Sequence, residues 1–361
     1  MSIAHSCANF NGGIRLLPPG RNCDIILSSL GGGYVIYLET GSVDPAYNLA
    51  FEEYVLQNWR QGDILILWQN ANSVIVGRNQ NAEAEINRAF VEEHGIKVVR
   101  RNTGGGAVFH DLGNLNYSFI TDADSLEKDT LRRFLDPVVS ALRSLGLDAE
   151  SSGRNDILVS GKKVSGTAQQ LKNGRILHHG TLLFDADTSL LAGALNPDPT
   201  KYQSKGIASV RSRVGNIKDH LPCPMDLPQF WKCIKNVLTA EGIEEIHLPE
   251  ESIAAIRKLQ EEKYDTWQWN FGKSPKFQMH NRRRHTGGLL DIHLSVDTGA
   301  ISEIRIFGDF LALLPVSDLE ESIEGCAYEE KALMSALSDI DLVPYLGIIT
   351  LRELVDTICN K

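Results

Sequence analysis

Cysteine is sparse in this chain and never paired in sequence. Its six copies (Cys7, Cys23, Cys223, Cys233, Cys326, Cys359) form no Cys-x-x-Cys and follow no secretory leader, which argues against a zinc site or a disulfide framework and fits a reducing interior compartment. No apolar run approaches the ~20 residues of a membrane span, so nothing is expected to cross a bilayer. Basic residues are outnumbered: the formal charge of −10 argues against a general nucleic-acid binder. Internal repeats and low-complexity stretches are missing as well. The three consecutive glycines at 104–106 are followed by no Gly-Lys-Ser/Thr and by no helix, so they belong neither to a Walker loop nor to a dinucleotide fingerprint.

What is present is that glycine block in a particular setting. Arg100 and Arg101 precede Asn102-Thr103-Gly104-Gly105-Gly106-Ala107-Val108-Phe109-His110-Asp111-Leu112-Gly113-Asn114. Glycines let a backbone approach a ligand and aim several N–H groups at one anion, and two guanidiniums supply matching charge, so the block reads as an anion cradle for phosphates. A turn between two strands would need neither the arginines nor the His-Asp behind it. Local charge agrees: Ser151 to Gly180 holds five basic residues against the single acid Asp156, and Lys201 to Lys218 holds five more with no acid. Positive segments within an acidic chain point to a focused anion site that includes Arg101, Lys163 and one or both of Arg211 and Arg213.

With 361 residues and 42% hydrophobic content, the chain can bury one large core and a smaller second one. Residues 1–33 read as an irregular extension. A strand is expected over Tyr34–Leu38, then a helix capped by Asp44 with Pro45 at its first position and running to about Trp59. Strands follow at Ile64–Trp68 and Ser73–Val76, and a helix from about Glu83 to His94 ends at Gly95. Short strands at Ile96–Arg100 and Ala107–Phe109 flank the glycines. Leu131, Leu135, Val138, Leu142 and Leu145 have helical spacing, with Pro137 acceptable near a first turn or a kink. Ile157–Val159 and Thr181–Phe184 read as strands. Thr266 to Pro275, with its tryptophans, Gly272 and Pro275, reads as a connector that packs at one end and bends at the other. Beyond it come two strands joined at Asp297-Thr298-Gly299 and helical segments near Leu319, Leu333 and Leu354.

The glycine block resembles the signature of the lipoate-protein ligase family. The resemblance extends in order through Gly77-Arg78-Asn79-Gln80-Asn81, Gly153-Arg154-Asn155-Asp156, Lys163-Val164-Ser165-Gly166-Thr167-Ala168, His178-His179-Gly180-Thr181-Leu182-Leu183 and Gly206 to Val214. One departure is Asn102-Thr103 in place of the commoner Ser-Ser; Thr103 keeps a hydroxyl. The resemblance implies an α/β (α+β) catalytic domain on a mixed, largely antiparallel sheet of the biotin-protein-ligase type, followed by a small α+β domain. The boundaries it suggests are 34–265 for the catalytic domain, 266–275 for the connector and 276–361 for the small domain. That small domain, lacking signature blocks, is expected to gate the site rather than contact the substrates.

The chemistry implied is ATP-dependent conversion of lipoate to lipoyl-AMP, then transfer to a lysine of an acceptor. A carboxylate is already a nucleophile, so the protein must align it with the α-phosphate and neutralise the departing pyrophosphate. By resemblance Lys163 is the catalytic lysine, with its neighbour Lys162 facing solvent because strand side chains alternate. Gly77, Arg78, Arg101, Thr103, Gly105, Gly106, His179 and Gly180 are expected around lipoate or lipoyl-AMP. ATP would contact Gly104, Val108, Phe109, His110, Asn114, Asn155 and Lys163, with Leu112 also near the adenine. Asp156 is the expected Mg²⁺ ligand, since hard divalent ions take oxygen donors. The implied acceptors are lipoyl domains of 2-oxoacid dehydrogenase E2 subunits and the glycine-cleavage H protein, with no nucleic-acid or membrane partner. The expected location is the bacterial cytoplasm, or the mitochondrion in a eukaryote. A transferase using preformed lipoyl-AMP shares these motifs. A cysteine-thioester acyltransferase would have to use Cys223, since no cysteine lies between Asn70 and Leu221; a non-catalytic binding protein would be expected to lack Lys163 or the Arg101 block.

Overall fold

The computed structural model describes residues 35–60, 62–123, 130–152, 155–195, 214–239, 244–271, 279–297 and 299–360. The N-terminal extension, Gly153-Arg154, Arg211, Arg213, Gly272 and Pro275 lie outside the described residues.

An eight-stranded sheet is the backbone of the larger part. Its strands are β1 (Val35–Glu39), β2 (Asp63–Trp68), β6 (Asn114–Asp122), β7 (Ala149–Ser152), β8 (Asp156–Val159), β9 (Lys162–Lys172), β10 (Arg175–Leu183) and β11 (Glu244–Glu245), in the order β11-β1-β2-β6-β10-β9-β8-β7. β1 runs parallel to β2 and β11, and every other pairing in it is antiparallel, so the sheet is mixed and largely antiparallel. Both faces are covered, which is why β1 and β2 read as continuous apolar runs rather than alternating ones. On one face Tyr37, Leu65, Leu67 and Phe119 pack with Phe134, Val138 and Leu142 of the helix Thr130–Ser144. On the other, Leu38, Ile64 and Ile66 pack with Leu49, Phe51 and Val55 of the helix Pro45–Asn58. Each such side chain contributes about 1.5–3 kcal/mol on leaving water. Asp44 caps the second helix as expected, accepting from the Ala46 N–H with Pro45 behind it.

A three-stranded sheet of β4 (Lys97–Arg100), β3 (Ser73–Val76) and β5 (Val108–His110) carries the glycine loop between β4 and β5. The helix expected over 83–94 is broken into Ala82–Glu85 and Arg88–Glu93. Ile86 leaves the helix to bridge Leu195, and Asn87 starts the second piece by accepting from the Phe90 N–H. Pro137 lies inside its helix rather than at an end. The strand expected over 181–184 begins at Arg175, because Asn173-Gly174 turns β9 into β10 with φ of 51° and 76°. That pair is the favoured two-residue hairpin turn.

The C-terminal region has three strands, not two: β12 (Met279–His285), β13 (Gly288–Asp297) and β14 (Ala300–Gly308), all antiparallel. β12 reads Met-His-Asn-Arg-Arg-Arg-His and offers no apolar alternation to reveal it. Ile292, Ile304, Leu319, Leu333 and Leu354 join this sheet to the helices Ser317–Ile323, Glu330–Ala336 and Leu351–Ile358 in a core of its own. Among the described residues no helix is long and apolar enough to cross a membrane, and no disulfide joins Cys223, Cys233, Cys326 and Cys359.

Candidate active site

The two arginines before the glycines are buried and hold the loop through its carbonyls. Arg100 donates from Nη1 to the carbonyls of Gly77 (2.9 Å), Arg78 (3.0 Å) and Gln80 (2.6 Å), and from Nε and Nη2 to those of Trp269 and Asn270. Arg101 donates to the carbonyls of Ile75 (3.0 Å), Gly104 (2.6 Å) and Gly106 (2.8 Å) and to Thr103 Oγ1 (2.9 Å). Burial pulls both guanidiniums down to about 10, still far above neutrality, so both remain cations. The charge expected to face an anion directly is therefore engaged in shaping the loop. The loop is also tighter than a plain turn. Gly105 has φ +86°, and a Cβ on Gly77 would stand 2.0 Å from the Gly105 carbonyl oxygen, so neither position tolerates a side chain.

From Arg101 a chain of hydrogen bonds runs into the large sheet. Thr103 Oγ1 accepts from Arg101 Nε and donates to His179 Nε2 at 2.8 Å, while His179 Nδ1 donates to Glu52 at 2.9 Å. Glu52 accepts from Ser118 Oγ too. The carboxylate thus fixes the imidazole tautomer and ties the loop to β10. Glu52 carries no signature motif; its only mark in the sequence is a carboxylate on a helix otherwise almost wholly buried.

His110 is held just as firmly. Asn48 Nδ2 donates to Asn70 Oδ1 (2.9 Å), which turns Asn70 Nδ2 toward His110 Nδ1 (3.0 Å). The ring proton therefore sits on Nε2, an atom with no hydrogen-bond partner. Burial first, then the nearby Arg101 and His179, push this imidazole down to about 3, so at neutral pH it is uncharged.

Lys163 reaches the site through an irregularity. Ile157 pairs with Ser165 but Leu158 pairs with Lys163, so β9 carries one extra residue against β8. That slip turns Lys163 onto the face of Gly166 and Asp156, while Val164 joins the core. A Cβ on Gly166 would touch the lysine's Cε and Nζ, and Lys163 Nζ lies 2.7 Å from Asp156 Oδ1.

These elements enclose a cavity of about 440 Å³. It gathers Arg101, Gly105, Gly106, Val108, His110, Asn155, Asp156, Lys163, His179 and Gly180 from the expected residues. Seven others stand outside its lining. Gly77 packs behind Gly105, and the Arg78 N–H donates to the Thr103 carbonyl. Thr103 lies behind Arg101 and His179. Gly104 packs on Phe310 and Ala312, Phe109 sits in the core beside Val74 and Val76, and Asn114 donates to Asn116, which does line the cavity. Leu112 is exposed. Among the described residues no cysteine lines the cavity.

Several lining residues escaped the sequence. Leu49, Trp68, Ile75, Ala168 and Leu311 give the lining apolar surface, suited to an alkyl chain. Arg284 and Asp309, ion-paired at 3.2 Å, enter from the C-terminal region with Leu311. Phe310 O accepts from the Gly105 N–H, a donor the phosphate cradle would have used, and Asn79 O accepts from the Gly308 N–H. The C-terminal region is thus part of the wall, contrary to the expectation that it only gates.

The chain matches the Lipoyl protein ligase A/B catalytic domain over residues 44–239 and the Bacterial lipoate protein ligase C-terminus over residues 274–358. It is 42% identical over 320 residues to lipoate-protein ligase LplJ of Bacillus subtilis, covering 87% of this chain and 97% of that one. LipL1 of P. falciparum, solved in complex with lipoate, superimposes with a TM-score of 0.75 at 25% identity over 91% of this chain and all of that one. A bi-partite lipoate protein ligase of Thermoplasma acidophilum, described together with its E2 lipoyl domain, gives 0.59 at 30% identity, covering 68% of this chain and 99% of that chain. A lipoate-protein ligase A bound with ATP gives 0.58 at 29% identity, covering 66% and 98%.

Proposed function

The chain belongs to the lipoate-protein ligase family and is an ATP-dependent enzyme that lipoylates proteins, and we propose that its 440 Å³ cavity holds both substrates while Lys163 serves the reaction. The observation that carries this assignment is the lysine's entry, by the slip in β9, into a cavity whose lining combines apolar side chains with charged and polar ones.

In the first step a lipoate carboxylate oxygen attacks the α-phosphorus of ATP, the bond to the bridging oxygen breaks, and pyrophosphate leaves. Lys163 is the compact cation that draws the carboxylate and the α-phosphate together and offsets the charge growing between them. His110, neutral and in the cavity lining, lies beside the adenylate. Gly105 and Gly106 present backbone to the same group, and Val108 lies against the nucleotide. The apolar lining residues, with His179 and Gly180, take the lipoyl chain. In the second step an acceptor lysine amine attacks the acyl carbon, the bond to AMP breaks, and the amine gives up its proton.

The donor set fits Mg²⁺ travelling with ATP. Asp156 is a cavity carboxylate held by a side chain rather than by backbone, whereas Asp309 is occupied by Arg284 and the Leu289 N–H. Asp156 would hold the ion together with phosphate oxygens, and the ion would neutralise phosphate charge. The acceptors are lipoyl domains of 2-oxoacid dehydrogenase E2 subunits and the glycine-cleavage H protein, a reading supported by the relative described with its E2 lipoyl domain. Residues 34–265 form the catalytic domain and 276–361 a smaller domain that completes the wall. The bacterial relative supports a cytoplasmic setting.

The test is to incubate the full chain with lipoate, Mg-ATP and an E2 lipoyl domain and to follow the acceptor by mass spectrometry. One lipoyl group on one acceptor lysine is expected, lost with Lys163→Ala. An acceptor modified equally fast by Lys163→Ala would remove Lys163 from the reaction.

A further inference from the structure

We propose that His280, Asp291 and His293 form a binding site for one divalent cation of the zinc class, on the face of the C-terminal sheet turned away from its helices. No part of the ligase reaction calls on these three residues. Leu290, Ile292 and Leu294 of β13 point into the core, so the alternating Asp291 and His293 must point the other way. His280 of β12 lies directly opposite His293 in the antiparallel register. The result is two imidazoles and one carboxylate on a single patch.

Their ligand atoms are already convergent. His280 Nε2 stands 2.6 Å and His293 Nε2 3.0 Å from the same oxygen, Asp291 Oδ1. All three atoms lie within 4.8 Å of one another. A tetrahedral zinc with bonds near 2.0–2.2 Å would place its ligand atoms about 3.4 Å apart, so only a small outward shift of the two rings is required. The other Asp291 oxygen faces Arg282 Nε at 3.8 Å, which turns Oδ1 toward the imidazoles. Asp291 is buried while His280 is half exposed, so the carboxylate is fixed and an entry path exists on the histidine side. Two nitrogens and one oxygen suit zinc-class ions and not Mg²⁺, which takes oxygen donors. The cation would tie β12, the first strand after the connector, to β13 through side chains in addition to the backbone ladder.

The experiment uses the full chain without an affinity tag, stripped with chelator and dialysed against Zn²⁺ alone. Free thiols can also take up zinc, so the readout is a difference: wild type should retain about one zinc per chain more than His280→Ala/His293→Ala. His280→Ala alone, at a half-exposed position, should keep the fold and weaken zinc binding roughly tenfold or more. Zn²⁺ should raise the thermal midpoint of the wild type and not of the double variant, and Mg²⁺ should leave it unmoved. Equal zinc content in wild type and double variant, or an equal midpoint rise in both, overturns the proposal.

Discussion

Asp156 Oδ1 lies 2.7 Å from Lys163 Nζ, and the two side chains meet because β9 carries one residue more than β8 between their shared pairings. Strict alternation from the buried Ser165 would have turned Lys163 toward the core face. The irregularity thus brings a cation and a carboxylate together in the cavity lining, where the proposed adenylate formation would use them.

Lys163→Ala should lower ligation by roughly 10²–10³-fold, the scale for removing a charge contact made in a transition state. The far-ultraviolet circular dichroism and thermal midpoint should be little changed, since the side chain is partly exposed. Lys162→Ala should be mild. Equal losses from the two substitutions would contradict the assignment.

Arg100→Met should destabilise the chain by more than about 3 kcal/mol, because carbonyls from the 77–80 turn and the 269–270 segment lose a charged donor at once. Urea unfolding measures it. A loss below about 1 kcal/mol would mean that the clamp does not hold the loop.

Gly77→Ala forces a methyl group against the Gly105 carbonyl. Displacing the glycine loop by about 1 Å should cost roughly 10²-fold in kcat/KM. Unaltered kinetics would show that the loop's position against Gly77 is immaterial.

His178 gives a pH dependence with a defined sign. Its ring is buried against Phe134 and accepts from Gln169, and burial first, then His179, push it down to about 3. The unfolded chain takes up this proton as pH falls below about 6.5, whereas the folded chain resists until about 3, so stability falls with pH through that window. Asp63 and Glu320, raised by burial to about 6, act in the opposite direction, which makes a comparison necessary. Between pH 7.5 and 5.5 the wild type should lose about 1 kcal/mol more than His178→Phe. Parallel stability curves would mean that His178 is not held neutral.

The sequence was most legible where local chemistry decides the outcome. The Asp44-Pro45 helix start and the strands 64–68 and 73–76 follow from capping, fixed φ and apolar runs. The Asn173-Gly174 turn was equally visible, and reading it would have extended β10 back over His178, His179 and Gly180. Other features depend on residues distant in sequence. Glu52 matters because His179 stands 127 positions away in the chain and next to it in space. Arg100 and Arg101 looked like anion ligands because nothing local reveals which carbonyls will face them. β12 is too polar to betray a strand, and with it went Arg284 and the contribution of the C-terminal region to the cavity wall.

The central claim is that this cavity makes the adenylate itself. The most direct measurement is lipoate-dependent exchange of labelled pyrophosphate into ATP by the purified full chain, with Mg²⁺ and no acceptor present. Exchange that requires lipoate and vanishes in Lys163→Ala is the result expected. Lipoyl transfer from synthetic lipoyl-AMP without any lipoate-dependent exchange would contradict the account and leave a transferase in its place.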